Sequence, residues 1–174
     1  MSDNPANVDW DALAIKLGRP FSGSTDCAQQ VIPLLPAENW EIPACEYYVS
    51  SCGTRPGCEL LRMVMLIVRP TSALDWCLDF AYSESRYELR SSALDLMRMM
   101  ADRTCLSRLV DLLNDPNQSI QNATANIIEQ ISVGGGGFLQ ADITTLISLI
   151  EAHKNSYVVS QIQRAIDETV INLS

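Results

Sequence analysis

The segment LVDLLNDPNQSIQNATANIIEQI, residues 109–131, constrains the architecture of this chain more than any other. Two runs of helical periodicity flank Asn114-Asp115-Pro116-Asn117, whose side chains favour turns and helix starts, so the segment predicts a helical hairpin. One such hairpin cannot bury its apolar face alone; it has to stack on others. Three further segments align with its second helix, beginning at Trp40, Tyr87 and Tyr157. In that alignment Ile42, Leu89, Ile120 and Val159 fill the first apolar site, at intervals of 47, 31 and 39 residues. The longer intervals hold an extra apolar helix, Cys58–Val68, and a glycine loop, Gly134–Gly137.

Helical periodicity covers nearly the whole chain, and no alternating strand pattern is found. A short helix is predicted over Val8–Leu17, capped by Asn7 and ended by Gly18 and Pro20. Ser24 or Thr25 starts the next, through Leu35, with Pro33 bending it. Asn39 is read as the cap of a helix over Trp40–Cys52, with Ile42, Cys45, Val49 and Cys52 along one stripe. The helix Cys58–Val68 is apolar round most of its circumference and should be buried on nearly all sides. Thr71 caps a helix to about Ala81, and Ser85 with Glu88 forms a capping box for one ending near Ala101. Helices over Arg103–Leu113, Gln118–Ile131, Asp142–His153 and Ser156–Leu173 complete the chain. The hairpins expected are 25–52, 71–101, 103–132 and 142–173, within one domain, 1–174, large enough to bury a core of its own.

The longest apolar stretch, Leu60–Val68, contains Arg62 and falls far short of the roughly 20 residues a membrane span needs. With the polar start MSDNPANVDW, this predicts a cytoplasmic protein without membrane contact. The net charge is −9, and its distribution is uneven. Residues 1–52 and 109–174 each hold seven acids against two bases, whereas 53–108 holds eight arginines against seven acids. Such a chain repels phosphate backbones, so nucleic acid is not the expected partner. Acidic ends suit a protein with a basic surface, although net charge also serves solubility alone.

The six cysteines form no C-x-x-C pair, and His153 is the only histidine, so no metal site is expected. They read as reduced structural thiols. Cys45 and Cys52, seven apart, with Cys58 after a turn, leave a redox role open. Gly134–Gly137 lacks the Lys-Ser/Thr and preceding strand of a phosphate cradle. Phe21-Ser22-Gly23-Ser24 lacks the frame of a nucleophile elbow. His153 reads as a surface or dipole-pairing residue, and Trp10, Trp40 and Trp76 as packing residues. No catalytic set and no cofactor site are expected.

These features resemble the HEAT-repeat family, over roughly Thr25–Leu173. The resemblance rests on an apolar first helix, the turn Asn114-Asp115-Pro116, and an aliphatic, a polar and a small residue opening the second helix. Asp115 matches the family's turn aspartate and Arg90 its second-helix arginine, while Pro43, Gln121 and Ser160 replace that arginine elsewhere. It implies an all-α fold, a right-handed α-solenoid of stacked antiparallel hairpins with nine to ten helices, belonging to a diverged bacterial-type member. Second helices line the concave face in that family, which makes Arg86, Arg90, Asp95 and Arg98 a candidate recognition strip, continued by Gln121, Asn122, Asn126 and Glu129. Salt bridging of those arginines to Glu84, Glu88 and Asp95 is the competing reading. The function expected is a non-enzymatic protein-binding module, such as an immunity or inhibitor protein against a basic toxin or enzyme. The alternative is a tetrapyrrole chaperone or transferase of the phycobilin-lyase type. A third class, lesion recognition by HEAT-like DNA glycosylases, wants a basic face that this charge denies it.

Overall fold

A computed structural model of the chain describes residues 8–18, 24–134 and 137–173. Among these residues it is all-α, with ten α-helices and two 3-10 turns. They gather into two compact units, residues 1–100 and 101–174. Asn7, expected as a cap, and Phe21–Gly23 of the candidate elbow lie outside the described residues.

The first unit holds α1 (Trp10–Leu17), α2 (Thr25–Val31), α3 (Glu41–Ser50), α4 (Cys58–Val68), α5 (Thr71–Ser83) and α6 (Tyr87–Met97). Asp9 caps α1 by accepting from the Ala12 N–H at 2.9 Å. Ser24 caps α2 through the Cys27 N–H. Pro33 does more than bend α2: the α-helix stops at Val31 and Ile32–Leu34 tightens into a 3-10 turn. Asn39 is not a cap, because its φ of 66° puts it in the left-handed region, and buried Trp40 holds the N-cap place before α3. The Ser85–Glu88 capping box is likewise replaced. The Glu84 carboxylate accepts from the Arg86 N–H at 2.9 Å, and α6 ends at Met97, short of Ala101.

α3 presents Ala44, Cys45, Tyr48 and Val49 to the core, while Ile42 and Cys52 are exposed. The stripe is therefore turned from the one the alignment indicates. That face packs on α5 and α6, and α2 lies chiefly against α4 instead of forming the expected hairpin with α3. α4 is buried along one broad face, through Leu60, Leu61, Val64 and Met65, but exposes Ile67 and Val68. Trp10 and Trp40 are buried with ring centroids 6.1 Å apart, and half-buried Trp76 stacks on Phe80 at 4.8 Å.

Gly57 joins α1 to the turn before α4. A Cβ there would lie 2.5 Å from the Trp10 carbonyl carbon, so only glycine admits this approach. Its N–H donates to Asp11 Oδ1 at 2.9 Å, and the Tyr47 hydroxyl donates to the same oxygen at 2.7 Å. Arg55 pairs with the other Asp11 oxygen and lies 4.6 Å from the centre of the Tyr47 ring. Burial alone would raise the Asp11 carboxyl, but the Tyr47, Gly57 and Arg55 bonds outweigh it and hold it below its ordinary range.

The second unit holds α7 (Leu106–Leu112), α8 (Gln118–Val133), α9 (Gln140–Ala152) and α10 (Ser156–Leu173). Asp102 caps the 3-10 turn Arg103–Cys105 that leads into α7, and Asn117 caps α8 through the Ser119 N–H. Asp142, in the first turn of α9, accepts from the Leu139 N–H. α7 packs on α8, and α10 packs on both α8 and α9. Leu109, Ile120, Ile128, Leu146, Val158 and Ile162 are all fully buried, and they form the apolar core of this unit.

Candidate functional site

All eight residues of the expected recognition strip have partners inside their own unit. In the first, Arg86 forks onto Glu84, with Nε to Oε1 at 3.1 Å and Nη2 to Oε2 at 2.9 Å. Those bonds, with the Arg86 N–H, hold the half-buried Glu84 carboxyl down at about 2. Arg90 Nε donates to the Ala81 carbonyl at 2.6 Å, closing the end of α5. Asp95 accepts from the Tyr48 hydroxyl at 2.5 Å and from Arg62 Nη1 at 2.8 Å, and Arg98 lies 3.5 Å from its other oxygen. Burial, then the Asp95 bond, holds the Tyr48 phenol well above its ordinary range. Tyr48 and Arg62 complete this group and carry no periodic signal that marks them in the sequence.

In the second unit Asn155 Nδ2 donates to both Gln121 Oε1 and Asn122 Oδ1 at 2.9 Å. Gln121 Nε2 donates to the Asp115 carbonyl, and Tyr157 Oη to Asn126 Oδ1. Glu129 pairs with Arg164 at 3.4 Å. An amide ladder thus ties α8 to the α9–α10 connection. His153 belongs to it: Nε2 lies 2.9 Å from the Leu113 carbonyl, and Nδ1 accepts from the Asn155 N–H at 3.1 Å. Both ring nitrogens of His153 are thus engaged within the unit.

Against this ladder lies a cleft of about 630 Å³, lined by Asn114, Gln118, Gln121, Leu149, Ala152 and the stretch His153–Asn155. Gln121 alone of the expected site residues reaches it. Asn114 and Gln118 were legible only as turn and helix-start residues, and Asn155 as a connector. Their convergence depends on how α9 and α10 fold back, which no local pattern encodes.

Arginine usage is the wider electrostatic feature. Arg55, Arg62, Arg86, Arg98 and Arg103 each ion-pair with a carboxylate of the chain. Arg69 and Arg90 donate to backbone carbonyls, and Arg108 is also engaged. By contrast, exposed Asp26, Glu38, Glu46, Asp111, Glu151 and Glu168 make no ion pair among the described residues.

All six cysteines are free, and five are buried. Cys45 meets Cys77, Sγ to Sγ at 4.0 Å, instead of gathering with Cys52 and Cys58. The Cys45 contact, then burial, pushes the Cys77 thiol well up, away from a reactive thiolate. No group of three or more His, Cys, Asp and Glu side chains able to hold a metal occurs among the described residues. None of their helices is long and apolar enough to cross a membrane. Compared with models of protein families, with curated proteins and with solved structures, the chain matches none.

Proposed function

We propose that this chain is a non-enzymatic protein-binding module whose partner presents a basic surface, as an inhibitor or immunity protein does toward a basic toxin or enzyme. The observation that carries this reading is the internal engagement of the arginines of segment 53–108, beside exposed carboxylates with no ion-pair partner. Outward potential then follows the net charge of −9, and steers basic surfaces toward the chain. The contact moves from the arginine strip to the carboxylates. His153, with both nitrogens committed, supports the non-enzymatic part of the reading.

The test is affinity capture from native lysate at low and high salt, with Glu38→Gln/Glu46→Gln and Arg86→Gln variants in parallel. The reading expects a basic partner released by salt, weakened by the glutamate changes and retained by Arg86→Gln. An acidic partner, or turnover of a substrate by the purified chain, would overturn it.

A further inference from the structure

We infer that the α9–α10 connection is a proton-operated latch, closed by His153 while its ring carries one proton and released when the ring takes a second. The latch is independent of which partner the chain binds. His153 is the only histidine of the chain, and both of its nitrogens are bonded within the second unit.

The two bonds fix where the single proton sits. A backbone N–H only donates, so Nδ1, which accepts the Asn155 N–H at 3.1 Å, carries no proton in this arrangement. A carbonyl only accepts, so Nε2 carries it toward the Leu113 oxygen at 2.9 Å. A second proton turns Nδ1 into a donor facing another donor. Rotating the ring by half a turn does not rescue the pair, because ring carbons then stand where both nitrogens stood. His153 holds the C-cap of α9, where the helix dipole favours a cation, so its position does not keep the proton away. The cost falls instead on the Asn155 N–H, which loses its acceptor.

The charged side chains on the elements around the ring are Asp111 of α7, Asp115 of the turn before α8, Glu151 of α9 and Lys154; α8 and α10 carry none in their first two turns. None of these side chains bonds to the ring, and the Asp115 carboxylate already takes the Asn117 N–H. What the latch holds is Asn155. Its Nδ2 donates to Gln121 Oε1 and Asn122 Oδ1, its Oδ1 accepts from the Tyr157 N–H at 3.1 Å, and its carbonyl accepts from the Val159 N–H. Displacing its backbone therefore disturbs the tie to α8 and the start of α10 together. The cleft wall formed by His153–Asn155 changes with them.

The test follows the isotope-labelled full chain by NMR from about pH 8 to about pH 5, the span in which an imidazole ordinarily changes charge. The His153 ring resonances should titrate, and the Asn155 backbone N–H and the side-chain amides of Asn155, Gln121 and Asn122 should follow with the same midpoint. Across it, protection of the Asn155 and Tyr157 amides from hydrogen exchange should fall about three- to tenfold, as the loss of one hydrogen bond implies. His153→Gln keeps a donor and an acceptor on a side chain that does not titrate, so it should abolish the transition with helicity unchanged. A ring that takes no proton down to about pH 5 would overturn the latch. So would a ring titration that the Asn155, Gln121 and Asn122 amides do not follow, or an amide transition that persists in His153→Gln.

Discussion

Gly57→Ala tests how the first unit is closed. The new methyl would sit 2.5 Å from the Trp10 carbonyl carbon and 2.6 Å from its Cβ and oxygen, so the obstruction is largely backbone and cannot be relieved by a rotamer change. Gly57 has φ −78° and ψ −8°, which alanine adopts without strain, and alanine's smaller unfolded-state entropy favours it by about 0.4–1 kcal/mol. Against that gain, overpacking costs about 1–3 kcal/mol. If α1 lifts to avoid the clash, the Gly57–Asp11 bond is lost, at about 1.5–3 kcal/mol for a charged acceptor. Trp10, 2% exposed, would then also lose part of its burial. The net expectation is a destabilisation of about 2–4 kcal/mol. Urea unfolding followed by circular dichroism measures it, and tryptophan fluorescence should report loosening of Trp10 against Trp40 before global unfolding. A change below about 0.5 kcal/mol, the range of ordinary surface substitutions, would refute the packing of α1 on this turn.

Other outcomes follow from the polar groups. Asp95→Ala leaves Arg62 and Arg98 without their carboxylate and should cost about 1–3 kcal/mol, Tyr48→Phe about 1 kcal/mol, and the double variant less than the sum, in denaturant unfolding. His153→Ala removes the bond to Leu113 and should destabilise the second unit by about 1–2 kcal/mol, with hydrogen exchange accelerating around 113 and 155 first. The folded-state pKa values of Asp11 and Glu84 are depressed, so their contribution is complete above the ordinary carboxylate range and is lost as pH falls through the folded values. For Glu84 that window runs from 4.5 down to about 2, and Glu84→Gln should flatten the dependence of the urea midpoint on pH across it.

Helix positions were legible where the apolar run or a cap is strong: α4 spans Cys58–Val68 as read from its apolar run, and α8 begins at Gln118 behind its Asn117 cap. Capping was misread where two candidates compete. The Glu84 carboxylate takes the Arg86 N–H, and Arg86 instead of Ser85 stands at the N-cap of α6. The α3 register failed for a tertiary reason. Aligning Ile42 with Ile120 presumes that each second helix faces the same neighbour, yet α3 packs on both α5 and α6 and turns Tyr48 toward Asp95. Among the expected site residues, the competing salt-bridge reading held for Arg86 with Glu84 and for Arg98 with Asp95. Asn114, Gln118 and His153 meet across loops, and their separation of up to 39 residues leaves no local trace.

We propose that this chain meets a basic partner through its exposed carboxylates, the arginines of segment 53–108 being internally engaged. The most direct measurement is the salt dependence of affinity between the chain and the partner it captures, for wild type, Glu38→Gln/Glu46→Gln and Arg86→Gln. Affinity should fall steeply toward about 0.5 M salt, where screening acts within a few ångström. The glutamate variant should bind more weakly with a shallower salt slope, and Arg86→Gln should follow wild type. Salt-independent binding, or loss of binding on neutralising Arg86 alone, would contradict the account.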